Sequence, residues 1–105
     1  MLVFRRCGVV TIMALVLAPF PADAAGNVAA GKKIALQCQT CHGMDGLSKL
    51  PEAPNLAGQV EIYLVKALGD YKSGARKNDM MSVVAAGLKD ADIADLAAYY
   101  ASLGQ

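Results

Sequence analysis

The sequence predicts an all-α protein with three main helices and one long loop. Three segments repeat apolar residues at the spacing of one helix face, and no segment alternates apolar and polar residues convincingly with period two. The segments between them are rich in glycine, proline and polar residues, which is loop composition. The sequence contains no internal repeat, so these observations predict a single small helical domain.

The three helices are predicted over residues 27–37, 59–72 and 90–103. Asn27 is a suitable N-cap for the first helix, because its side-chain oxygen can accept a hydrogen bond from a backbone N–H of the first turn. Acidic side chains lie in the first turn of the last helix, where negative charge stabilises the helix dipole. Glycines and prolines over residues 42–58 predict the long loop, and residues 73–79 predict a polar break.

The first 24 residues have the organisation of a secretory signal peptide. A basic start, MLVFRR, is followed by an apolar run over residues 7–20 and by the small-residue pattern Ala22-Asp23-Ala24. The apolar run is shorter than the roughly 20 residues that span a bilayer, which disfavours the alternative of an uncleaved membrane anchor. We therefore predict cleavage between Ala24 and Ala25, export to the periplasm, no stable membrane insertion after cleavage, and one domain over residues 25–105.

The domain that remains after cleavage is small and electrically balanced. Residues 25–105 contain eight Lys and Arg residues and eight Asp and Glu residues, so no basic patch for nucleic acid is indicated. This part of the chain has neither Trp nor Phe, and a domain of 81 residues has only a marginal core. Domains of this size are usually stapled by a disulfide, a metal or a cofactor.

The segment CQTCH, residues 38–42, is the candidate site for such a disulfide, metal or cofactor. Cys38 and Cys41 are the two cysteines of the domain, and His42 is the single histidine of the chain. A disulfide would close a very short loop and stabilise little. A redox-active Cys-x-x-Cys belongs near a βαβ unit, and structural zinc needs four nitrogen or sulfur ligands where the domain offers three. Cys-x-x-Cys-His is the attachment signature of c-type haem, so the sequence predicts one haem c bound through both thiols, with His42 on the iron.

Four blocks of the sequence, in order, resemble the class I cytochromes c. AAGKKIALQCQTCHG is similar to the first helix and haem motif of that family, APNLAGQ to the loop that passes under the haem, LAGQVEIYLVKALGDYKSGAR to the stretch before the methionine ligand, and DIADLAAYYASL to the last helix. The blocks look like those of small bacterial members, either monohaem proteins or repeat units of soluble dihaem cytochromes c. The resemblance implies the class I fold, in which three main helices and a long loop wrap one covalently bound haem.

The resemblance also implies roles for individual residues. The backbone carbonyl of Pro54 would accept a hydrogen bond from the ring of His42 and so fix its tautomer. Gly31 would let the first helix cross the last helix closely. Tyr63 would lie near the haem edge or in the core, and Arg76 would pair with a haem propionate or remain solvated.

A second axial ligand for the iron is expected among the methionines. Met44 is too close to His42 to reach the opposite face of the ring, whereas Met80 and Met81 follow His42 by 38 and 39 residues. In the similar bacterial cytochromes the ligand lies seven positions before the leucine that opens the last helix, here Leu88, which implies Met81. Adjacent side chains on an extended or turning backbone point in different directions, so Met80 would pack elsewhere. Ligation by Met80 is the alternative.

Axial ligation by His42 and Met81 predicts an electron carrier and not an enzyme. Both axial positions are then occupied, and the chain has no nucleophile or acid–base pair that suggests catalysis. The expected partners are redox proteins, namely a donor dehydrogenase or quinol-oxidising complex and a terminal acceptor. One alternative is the haem subunit of a stable dehydrogenase complex, such as a flavocytochrome c that oxidises sulfide. A gas-binding sensor would need an open or labile sixth position.

Overall fold

The structure, a computed structural model, describes residue 8, residues 11–15 and residues 26–104. Residues 11–15 are exposed and have no regular secondary structure. The rest of the predicted signal peptide, with its cleavage position between Ala24 and Ala25, lies outside the described residues. No helix within the described ranges has the length and apolar character needed to cross a bilayer.

Helices supply the regular structure of residues 26–104, and this part of the chain contains no β-strand. A 3₁₀ turn, Ala35–Gln37, connects the first two of five α-helices: α1 Val28–Ile34, α2 Gln39–His42, α3 Glu61–Ser73, α4 Asp79–Ala86 and α5 Asp90–Ser102. The all-α prediction is confirmed. The three predicted helices correspond to α1 with its 3₁₀ turn, to α3 and to α5, and residues 43–60 form the predicted long loop.

The start of α1 and its crossing with α5 agree with the sequence-based expectations. Asn27 Oδ1 accepts a hydrogen bond from the Ala30 N–H at 2.8 Å, which confirms the predicted N-cap. At Gly31 a Cβ atom would overlap the backbone carbonyl of Asp95 and lie 2.8 Å from the Cβ of Tyr99. The close crossing therefore requires glycine, because any side chain at this position would push α1 away from α5.

The core is built around α5. Its buried residues are Ile93, Leu96, Ala97, Ala98, Tyr99 and Tyr100. Ala35 of the 3₁₀ turn and Leu64 of α3 pack in the same cluster, and Cys38 lies partly buried against it. Because apolar burial is the dominant favourable term in folding, the packing of Ala35 and Cys38 against this cluster fixes the start of the Cys-x-x-Cys-His segment relative to α5.

Helix α4 is a difference from the prediction of three main helices. The sequence predicted a polar break up to residue 79 and then an extended or turning backbone, but Asn78 caps a helix there. Asn78 Oδ1 accepts hydrogen bonds from the N–H groups of Met80 and Met81 at 3.0 and 2.9 Å. Asp79 adds favourable negative charge in the first turn. The helix has only eight residues, which is too short for its apolar periodicity to stand out in the sequence.

Candidate haem site

A single helical turn brings the two cysteines and the histidine together. The His42 N–H donates to the Cys38 carbonyl at 3.0 Å, and the Cys38 N–H donates to the Ala35 carbonyl at 2.9 Å. Residues three and four positions apart on such a turn share one side, so Cys38, Cys41 and His42 lie on the same side of the chain. Both thiols are half-buried and unbridged. Burial raises the pKa of the Cys38 thiol above its ordinary value, and the Tyr100 hydroxyl beside it acts in the opposite direction.

The ring of His42 is fixed by the loop. The side chain is only 7 % exposed, and Nδ1 lies 2.9 Å from the backbone carbonyl of Pro54. A carbonyl oxygen can only accept a hydrogen bond, so Nδ1 carries the proton and Nε2 keeps its lone pair. The hydrogen bond expected between His42 and Pro54 is confirmed, and it leaves Nε2 as a ready metal ligand.

Two hydrogen bonds to one carbonyl hold the loop that presents Pro54. The Gly46 carbonyl accepts from the N–H groups of Leu56 and Ala57 at 2.7 and 3.0 Å. Gly46 has φ 72°, and a Cβ atom there would lie only 2.7 Å from the Ala57 nitrogen. Glycine is therefore needed for the two ends of the loop to approach, and this approach sets the position of the Pro54 carbonyl.

A second glycine turns the chain immediately after the histidine. Gly43 has φ 73°, and its N–H donates to the Gln39 carbonyl at 2.9 Å. A Cβ atom at Gly43 would lie 2.5 Å from the Leu47 carbonyl oxygen. The following turn is closed by Asp45, whose Oδ1 accepts from the Leu47 N–H at 3.0 Å. This hydrogen bond, with a smaller contribution from Lys49, holds the pKa of the Asp45 carboxyl below its usual range.

The two candidate methionines point in different directions from the first turn of α4. Successive residues of an α-helix are rotated by about 100°, so the divergence of the two side chains that was expected on an extended or turning backbone also holds on this helix. Met80 is 62 % exposed, whereas Met81 is partly buried. This difference favours Met81 as the iron ligand, and the assignment stays a prediction.

The other residues named from the sequence occupy clear positions. Met44 packs partly buried against the core cluster, and its exclusion as a second axial ligand stays a prediction. Tyr63 is half-exposed on α3. The Arg76 guanidinium lies 4.7 Å from the centroid of the Tyr71 ring, a cation–π contact at the protein surface.

Two residues of the site were not identified from the sequence. Asn78 caps the helix that carries the methionines, and its signal was the Asn-Asp pair at the end of the polar segment. Tyr100 places a buried hydroxyl beside the Cys38 thiol without a hydrogen bond of normal geometry. Nothing in the linear sequence marks this second contact, because the two residues are 62 positions apart.

The donor set fits a covalently attached haem. Two thiols and an imidazole lie on one turn, and His42 Nε2 has no hydrogen-bond partner among the described residues. The Tyr100 hydroxyl is likewise buried and unpaired within that part of the chain. Two free thiols on one helical turn and an imidazole nitrogen that is free to bind iron are what covalent attachment of a c-type haem requires.

Comparison with known proteins gives the same assignment. The family model for cytochrome c matches residues 28–104. The chain is 49 % identical over 81 residues to cytochrome c4 of Pseudomonas aeruginosa, covering 77 % of this chain and 40 % of that protein. It is 46 % identical over 81 residues to cytochrome c-554(548) of Halomonas halodenitrificans, covering 74 % of this chain and 98 % of that protein.

A third relative carries a more specific name. The thiosulfate dehydrogenase electron acceptor of Thiomonas intermedia is 42 % identical over 77 residues, which is 71 % of this chain and 35 % of that protein. The chain thus spans well under half of the cytochrome c4 and electron-acceptor relatives but nearly all of the cytochrome c-554(548).

The solved structures agree with the sequence relatives. The crystal structure of reduced cytochrome c4 from Pseudomonas stutzeri superposes with a TM-score of 0.71 at 40 % identity, covering 76 % of this chain and 47 % of that one. The cytochrome c4 relatives are dihaem proteins in which each domain is a class I cytochrome c, and this chain corresponds to one such domain. Because the family model covers most of the chain and Cys38 and Cys41 occupy the attachment positions, the protein belongs to the cytochrome c family and carries one covalently bound c-type haem.

Proposed function

We propose that this protein is an exported carrier of single electrons in which His42 and Met81 are the axial ligands of the iron. The observation that carries the proposal is the His42 ring, which is buried and bound through Nδ1 to the Pro54 carbonyl. The bound haem supplies one-electron exchange between Fe(II) and Fe(III). The relatives named cytochrome c4 and the electron acceptor support the same reading.

The protein's part in this function is to keep the ligands still. Pro54 fixes the His42 tautomer, and Asn78 fixes the first turn of α4 through hydrogen bonds to the two methionine N–H groups. Ligands held by such contacts need little rearrangement when the charge of the site changes by one. A thioether ligand also raises the reduction potential relative to a second histidine.

The ligand assignment is tested by comparing Met81→Leu with Met80→Leu. Both changes conserve volume and should spare the fold. We expect Met81→Leu to abolish the weak far-red band of the oxidised protein, lower the reduction potential and allow carbon monoxide to bind. Met80→Leu serves as the matched control and should leave all three properties nearly unchanged, because Met80 is largely exposed. The opposite pattern would identify Met80 as the axial ligand of the iron.

Export is the second part of the proposal. The basic start, the apolar run and the Ala22-Asp23-Ala24 pattern support cleavage between Ala24 and Ala25. Haem c is attached outside the cytoplasm, so export and attachment require each other. The mass of the intact protein purified from the periplasm should correspond to residues 25–105 plus one haem. A mass that includes residues 1–24 would contradict the cleavage.

A diffusing carrier is the favoured form of the function. A donor dehydrogenase is the favoured partner class, because one relative is named as the electron acceptor of a dehydrogenase. The competing form is a haem subunit held permanently in such a dehydrogenase. Size-exclusion chromatography of a native extract, followed at the Soret band, separates the two. Elution at the mass of one cytochrome domain supports the carrier, and co-elution with a flavoprotein supports the subunit.

A further inference from the structure

Two adjacent tyrosines near the end of α5 are equally buried but differently satisfied. Tyr99 is 5 % exposed and Tyr100 is 3 % exposed, and their rings meet edge to face with centroids 5.2 Å apart. The Tyr99 O–H donates to the Met44 carbonyl at 2.5 Å. The Tyr100 hydroxyl has no hydrogen-bond partner of normal geometry in the described part of the chain.

An unpaired buried hydroxyl is unfavourable, and phenylalanine would fill the same space without that cost. A hydrogen-bond acceptor close to the Tyr100 hydroxyl would remove this cost. The Cys38 side chain packs against the core cluster that contains Tyr100, and burial together with the Cys38 sulfur raises the pKa of the Tyr100 phenol above its ordinary value. Phenol and sulfur are thus neighbours in a poorly solvated environment, where even a weak acceptor is worth more than none.

Haem attachment decides which of the two groups is the donor. In the free chain Cys38 has an S–H group, so either the thiol or the phenol can donate. Attachment adds the S–H bond across a vinyl double bond: a carbon–sulfur bond forms, the proton goes to the second vinyl carbon, and no oxidant is consumed. The resulting thioether sulfur has lone pairs and no proton, so it can only accept.

We propose that Tyr100 donates a hydrogen bond to the Cys38 sulfur in the haem-bound protein and thereby positions the first attachment thioether. The hydrogen bond orients the Cys38 thioether, which is bonded directly to the edge of the macrocycle but is not conjugated with it. Hydrogen bonds to sulfur withdraw electron density and raise the reduction potentials of iron–sulfur sites. A hydrogen bond to the Cys38 thioether should also raise the reduction potential of the haem, but by a smaller amount, because this sulfur is not an iron ligand.

The experiment compares Tyr100→Phe with Tyr99→Phe in the haem-bound protein. The two changes remove the same atom from neighbouring residues of equal burial, so Tyr99→Phe controls for the loss of any buried hydroxyl. We expect resonance Raman spectra of the wild type and of Tyr99→Phe to show a thioether carbon–sulfur band that shifts when water is replaced by deuterium oxide. Tyr100→Phe should lose this isotope shift and have a lower reduction potential, whereas Tyr99→Phe should keep the wild-type potential.

Stability and the isotope shift together distinguish a hydrogen-bonding Tyr100 from a tyrosine that only fills space. If the Tyr100 hydroxyl is unpaired in the haem-bound protein, Tyr100→Phe will be as stable as the wild type or more stable. An absent isotope shift in the wild type, or a shift that persists in Tyr100→Phe, would overturn the proposal whatever the stability result. These readouts depend on haem attachment and not on Met81, so the failure of the ligand assignment would leave them interpretable.

Discussion

Replacing Gly31 by alanine should destabilise the protein, although alanine is the better helix former. The added Cβ would overlap the Asp95 carbonyl and lie 2.8 Å from the Tyr99 Cβ. Overpacking of a tight contact costs about 1–3 kcal/mol, and the upper part of that range applies because a backbone carbonyl cannot rotate away. The gain in helix propensity is about 1 kcal/mol. The net loss of unfolding free energy is therefore about 1–2 kcal/mol.

The matched control is Gly69→Ala, in the interior of α3. Apart from its chain neighbours and the backbone of its own helix, a Cβ atom at Gly69 meets no heavy atom within 4 Å. Only the propensity gain of about 1 kcal/mol remains, so this substitution should stabilise the protein. Guanidinium unfolding of both haem-bound variants, followed by circular dichroism and at the Soret band, measures the two free energies. Each kcal/mol corresponds to roughly 4–8 °C in Tm for a domain of this size. The reasoning is refuted if Gly31→Ala stabilises the protein as Gly69→Ala does.

Two further predictions follow from the cap of α4 and from the haem attachment. Asn78→Ala removes an acceptor shared by the Met80 and Met81 N–H groups, so it should lower the free energy of unfolding by about 1 kcal/mol and speed the binding of added imidazole to the iron. Asn78→Asp keeps the acceptor and should behave as the wild type. Equal imidazole-binding kinetics in all three proteins would contradict this prediction. The double variant Cys38→Ala with Cys41→Ala, expressed in the periplasm, should show little helical circular dichroism, because the small core is incomplete without its cofactor; a cooperative thermal transition would show that the apoprotein folds alone.

The elements predicted well from the sequence are those with strong local signals. Helices α1 and α5 carry both an apolar stripe and a suitable first turn, and their bounds differ from the predicted ones by few residues. The hydrogen bond from His42 to the Pro54 carbonyl was also expected, because the spacing between these residues matches the family pattern. In these cases the information lies within one segment or in one recognisable motif.

What the sequence did not predict depends on contacts between distant segments. Helix α4 is short, and its stability comes from the Asn78 cap and from packing against α3, so local periodicity underestimates it. The contact between Tyr100 and Cys38 arises only after α5 packs behind the haem motif. Both features lie beside predicted site residues, Met81 in one case and Cys38 in the other, and both needed the fold to become visible.

The most direct test of the electron-carrier account is a redox titration of the purified haem-bound protein combined with exposure of the reduced form to carbon monoxide. Ligation by His42 and Met81 predicts a single one-electron Nernstian transition, an intact far-red band in the oxidised state and no change of the reduced Soret spectrum under carbon monoxide. A rapid spectral change on addition of carbon monoxide would show an open sixth position and contradict the account in favour of a gas-binding haem protein.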